Sequence, residues 1–132
     1  MQNRDIYDSA LRFLAESTTE GENEDYKERA PYLIAAACTR LSDLDTRIRH
    51  AEGKAPSKFN TVSLSLDVLF PLSDRLSPAV VLYLSSMLIL ESDEERSDKL
   101  YRQYLEAVQC IEDAYPVTEK PGTPHSIIDK YF

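Results

Sequence analysis

The sequence predicts an all-α fold: a four-helix bundle over residues 1–114, with one short extended strand or arm at about 61–70, followed by an extended C-terminal tail over residues 115–132. Three observations carry this. Residues 78–90, P-A-V-V-L-Y-L-S-S-M-L-I-L, run for thirteen positions without a charge and with only two serines, Ser85 and Ser86. A helix that is apolar nearly all round is buried in a core or in a membrane. A span needs roughly 20 apolar residues, and Arg75 and Glu91 close this one off first, so it is a central core helix or one covered partly by another subunit. Secondly, three other stretches repeat apolar residues every three or four positions, the mark of one-sided helices. Thirdly, only residues 61–70 alternate with a period of two.

The first helix starts at Asn3 as its cap, with Asp5 in the first turn and a stripe of Ile6, Tyr7, Ala10, Leu11 and Leu14. E-S-T-T-E-G-E-N-E-D, residues 16–25, places five acids around Gly21 with no apolar residue, and reads as an acidic surface loop. Its spacing matches no Ca²⁺ loop. The second helix begins around Tyr26. Proline is tolerated near a helix start, so Pro31 makes residues 25–30 either a first turn or a separate short piece. Beyond it Ile34, Ala37, Leu41, Leu44 and Ile48 form a narrow seam through A-A-A-C. His50, Glu52 and Gly53 end the helix, Gly53 suiting a left-handed cap and His50 favouring the helix dipole.

After a loop at 54–60, Val62, Leu64, Leu66, Val68 and Phe70 alternate with Thr61, Ser63, Ser65 and Asp67, which leaves Asp67 facing solvent. A lone strand leaves backbone donors and acceptors unpaired. The C-terminal tail or a strand of another chain could pair with it, making Val62, Leu64, Leu66 and Val68 subunit-interface candidates. The other possibility is an arm laid along the bundle. Ser73 caps the central helix. Ser92 and Glu95 have the S-x-x-E spacing of a capping box for the fourth helix, whose face is Leu100, Tyr101, Tyr104, Leu105, Val108 and Ile111. The short turn between them makes the third and fourth helices antiparallel neighbours. Tyr83, Tyr101 and Tyr104 fall where those helices touch, and their hydroxyls need partners, which Ser85, Ser86 or a facing subunit could supply. The proline-bearing tail carries an apolar tip, so Tyr115, Val117, Ile127, Ile128, Tyr131 and Phe132 are expected to dock on a partner.

Composition narrows function. With 15 Lys and Arg against 23 Asp and Glu, the net charge is −8, which argues against phosphate-driven nucleic-acid binding and against an anionic membrane surface. The start, M-Q-N-R-D-I-Y-D, has no basic-then-apolar signal pattern, which predicts a chain made and kept in the cytosol. Cys38 and Cys110 lie in helical patterns without a C-x-x-C and read as reduced core residues. No nucleophile elbow, phosphate-cradling loop or H-E-x-x-H is present, and His50 and His125 lie in a cap and a tail. No Asp or Glu falls within an apolar run that would raise its pKa. The expectation is a non-enzyme with no catalytic residue, no metal site and no cofactor. A hydrolase or metal enzyme using the acids at 16–25 and 91–98 is the remaining catalytic possibility.

The segment F-P-L-S-D-R-L-S-P-A-V-V-L-Y-L-S-S-M-L-I-L-E-S-D-E-E-R-S-D-K-L-Y-R-Q-Y-L-E-A-V, residues 70–108, resembles the helical hairpin of tailed-bacteriophage head–tail connector (adaptor, head-completion) proteins. In those, a proline-led turn enters an apolar helix, then an acidic turn and a helix with tyrosines follow. N-R-D-I-Y-D-S-A-L-R-F-L-A-E and D-Y-K-E-R-A-P-Y-L-I-A-A-A are similar to prophage neck genes, so the resemblance spans roughly residues 3–112. It implies a structural protein of the virion neck, made in the bacterial cytoplasm. About a dozen copies would form a ring beneath the portal protein and receive a further neck or tail-completion protein. DNA would only pass through the channel, and the tail from Tyr115 to Phe132 would hold the portal. The alternative is a cytosolic helical binding module, such as a prophage regulator or assembly chaperone, gripping its partner through the seam on the second helix.

Overall fold

The computed structural model describes residues 1–16, 21, 23–57 and 59–117. The described residues form four helices, α1 (Asn3–Phe13), α2 (Glu24–Ala51), α3 (Ser77–Ile89) and α4 (Glu94–Ala114), with a 3₁₀ turn at Asp74–Leu76 leading into α3. The fold is all-α, and no strand occurs among the described residues. As its uncharged sequence requires, α3 is the hub, packing against α4, α1 and α2. Val80, Leu84 and Leu88 on it are at most 1% exposed, and they meet Ile6 and Leu11 of α1 and Ile34, Leu41 and Ile48 of α2 in one core.

Two serines would be costly inside such a helix unless paired. Ser86 Oγ donates to the Ser97 carbonyl at 2.9 Å and Ser97 Oγ donates to the Ser86 carbonyl at 2.8 Å, a reciprocal bridge that locks α3 to α4. Ser85 Oγ donates to the Val81 carbonyl one turn back. Neither serine therefore serves a tyrosine.

Helix ends follow local chemistry, with some shifts. The cap of α1 is Gln2, in a reciprocal box with Asp5, and Asn3 lies inside the helix, fully buried. In α4 the cap is Asp93, whose carboxylate accepts from the Arg96 N–H, while the Ser92 hydroxyl turns back to the Ile89 carbonyl. The expected Ser92 and Glu95 box does not form. Ser73 does cap, one step early, accepting from the Arg75 N–H at the 3₁₀ turn. Gly53, at φ +71°, ends α2 as expected. The Lys54 N–H reaches the Arg49 carbonyl at 2.7 Å and the Gly53 N–H the His50 carbonyl at 3.1 Å, the two bonds of a Schellman cap.

Pro31 does not divide α2. The helix runs unbroken from Glu24 through it, although an interior proline costs about 3 kcal/mol in lost bonding and ring clash. Packing outweighs that: Ala30 and Ile34 on either side are fully buried, and Arg29 donates to the Leu88 carbonyl at 3.0 Å, tying the first turns of α2 to the end of α3.

Cys38 is buried and free; Cys110 is free but exposed, because it lies off the α4 face that holds Leu100 and Tyr104. The expectation of two core cysteines is corrected accordingly. Burial, with the Asp45 charge adding to it, pushes the Cys38 thiol up to about 12. A thiol reagent should therefore modify one cysteine per native chain, and the second only after denaturation. Two thiols reacting at equal rates would contradict the packing of α2.

Candidate functional site

The alternating segment is an arm, and its backbone shows why it is not a strand. A turn at Leu66 and Asp67, with the Val68 N–H aimed at the Ser65 carbonyl at 3.4 Å, breaks the alternation midway. The four interface candidates are consequently split. Leu66 is buried in the core and Leu64 is half-buried against it, whereas Val62 (81% exposed) and Val68 (46%) face outward. The backbone partners are neither a tail nor another strand among the described residues. Helix α1 begins with free N–H groups, and the arm supplies acceptors for them. Asn3 N–H donates to the Val68 carbonyl at 2.9 Å, and Arg4 N–H to the Leu66 carbonyl at 2.8 Å. The Asn3 side chain adds a bond to the Ser65 carbonyl, and Asp67, solvent-facing as read, pairs with Arg4 at 2.7 Å. Further back, the Leu64 N–H donates to the Pro31 carbonyl at 3.0 Å. Sequence reading missed two apolar residues that this docking brings beside Val68. Leu69 (70% exposed) bridges to Gln2, and Met1 (51%) follows because the Phe70 N–H donates to the Met1 carbonyl.

The tail candidates divide at the edge of the described residues. Ile127, Ile128, Tyr131 and Phe132 lie outside them. Tyr115 is half-buried where α4 ends: its carbonyl accepts from Arg47 Nη1 at 3.2 Å, and its ring lies 5.9 Å from the Arg75 guanidinium. Val117 is 69% exposed. Here the chain leaves along a groove of about 510 Å³ between the C-terminal half of α2 and the end of α4. Ala51, Pro56, Ala114, Pro116 and Val117 make its apolar wall, with Arg47, His50 and Lys54 beside them. The Arg47 Nε is buried without a hydrogen-bond partner among the described residues. Arg47 also lines a second hollow further along α2 and α4, with Arg40, Leu105 and Val108. Leu105 is 48% exposed there, so the α4 stripe is narrower than its spacing implied.

The three tyrosines do converge. Tyr83 and Tyr104 are buried with ring centroids 5.3 Å apart, and Tyr101 lies 5.5 Å from Tyr104. Arg40 of α2 closes the cluster, its guanidinium 5.6 Å above the Tyr83 ring and donating to the Tyr101 hydroxyl at 2.8 Å. Burial raises the Tyr83 phenol above its ordinary range against the opposing pull of Arg40. The partner that the sequence left to a serine or a neighbouring subunit is, for Tyr101, this arginine.

One buried charge was not foreseen. Asp45 is 1% exposed. Its Oδ1 accepts from the Ser73 N–H at 2.7 Å and its Oδ2 from Arg49 Nε at 2.8 Å, while Arg49 Nη2 donates to the Pro71 carbonyl at 3.0 Å. The signal was present, since Asp45 lies four residues after Leu41 and three before Ile48, on the seam itself. One oxygen thus holds the backbone at the entry to the 3₁₀ turn directly, and the other holds Arg49, which reaches the Pro71 carbonyl.

Among the described residues no group of three His, Cys, Asp or Glu could hold a metal ion, and no helix is long and apolar enough to cross a membrane. His50 is exposed at the end of α2. No protein-family model matches the chain, and neither a curated protein nor a solved structure matches it.

Proposed function

We propose that the chain is a non-catalytic structural protein of a tailed-phage neck, a head–tail connector that assembles as a ring between portal and tail. The observation that carries this reading is the α3–α4 hairpin. Its proline-led entry, apolar first helix, acidic turn and tyrosine-bearing second helix occur in the order found in the connector family. Two surfaces support it. Met1, Val68 and Leu69 are exposed apolar residues at the start of α1 and on the arm paired with it, surface that suits a neighbouring subunit. The described residues end at an exposed Val117, and in the resemblance it is the segment from Tyr115 to Phe132 that holds the portal. A charge of −8 per copy suits a channel wall past which DNA slides without sticking.

The test is co-purification with a portal protein from the source genome, followed by electron microscopy for rings. The full chain should bind portal, and deletion of residues 121–132 should abolish binding while the cooperative thermal transition is retained. A chain that ignores its portal, and whose loss leaves tailed particles intact, would sink the proposal.

A second reading, a cytosolic helical binding module, is favoured by the groove between α2 and α4. The α2 seam it was expected to use is unusable: Ile34, Ala37, Leu41, Leu44 and Ile48 are all core. Capture of one non-structural partner, with no copy of the chain in purified virions, would select this reading.

A further inference from the structure

We draw no further inference here: the strongest candidate, the largely apolar groove between the C-terminal half of α2 and the end of α4, is lined up to Val117, the last described residue, and nothing in the structure shows what covers it.

Discussion

Leu84→Asp should leave no cooperatively folded protein. Leu84 is fully buried at the middle of α3, the helix against which each of the other three packs most extensively. A carboxylate there would lose its hydration with no cation to meet it. The nearest polar side chains on α3, Ser85 and Ser86, already spend their hydroxyl protons on the Val81 and Ser97 carbonyls. Placing an unpaired charge or polar group in such a site, together with the lost packing of a leucine, costs more than about 4–5 kcal/mol. A single domain has about 5–15 kcal/mol in all. Urea titration followed by circular dichroism should show either no transition or one displaced to very low denaturant. Val62→Asp provides the comparison: at 81% exposure on the arm, it should shift stability by no more than about 0.5 kcal/mol. If Leu84→Asp unfolds at the parent's midpoint, α3 is not the hub, and the whole packing scheme is wrong.

That prediction could be written from the sequence because burial of α3 is dictated by composition alone: thirteen residues without charge have nowhere else to go. The stripes of α1 and α2 were legible for the same reason, since helical spacing and one-sided burial are the same fact seen twice. Residues 61–70 were harder. Alternation reports a strand only if the backbone stays extended, and whether a neighbour holds it extended is a tertiary matter. Here the neighbour is the N-terminus of α1, whose unpaired N–H groups take the Val68 and Leu66 carbonyls. Meeting them requires the turn at Leu66 and Asp67, which throws Val68 outward and leaves Leu66 in the core. Capping was misjudged in a similar way. Asn3 and Ser92 are good caps in isolation, but Asn3 is drawn inside by its bond to the Ser65 carbonyl, and Asp93 offers α4 a carboxylate one residue nearer than Ser92 offers a hydroxyl. Of the interaction surfaces, the start of the tail was visible as apolar residues past the last helix. The groove it enters was not, because its two walls are 60 residues or more apart and each alone reads as an ordinary helix face.

The most informative omission is Asp45, and it carries the second large expectation. Sequence reading looked for acids inside apolar runs and found none, yet the seam is defined by helical spacing, and on that spacing Asp45 stands in line with Leu41 and Ile48. An acid there is tolerable only if its charge and its oxygens find partners. Each Asp45 oxygen does: one holds the Ser73 N–H at 2.7 Å and the other Arg49 at 2.8 Å, and Arg49 in turn holds the Pro71 carbonyl. Ser57 donates to that same carbonyl at 3.1 Å. The network therefore closes the long connection from α2 back to α3, and it sets where the 3₁₀ turn begins. Asp45→Ala would strand the Ser73 N–H and leave Arg49 without its anion, and breaking a buried pair from one side costs about 3–5 kcal/mol. Because Arg49 keeps a side chain 23% exposed, water can recover part of its solvation, so the loss should fall at the lower end, about 3 kcal/mol. Asp45→Asn, which retains an acceptor for the Ser73 N–H but not the charge for Arg49, should fall between Asp45→Ala and the parent. Chemical denaturation of the three proteins should give that order. Amide exchange at Ser73 should accelerate in Asp45→Ala well before exchange in the middle of α3 does. Equal exchange rates at both places would mean that Asp45 supports the core as a whole and has no specific hold on the junction.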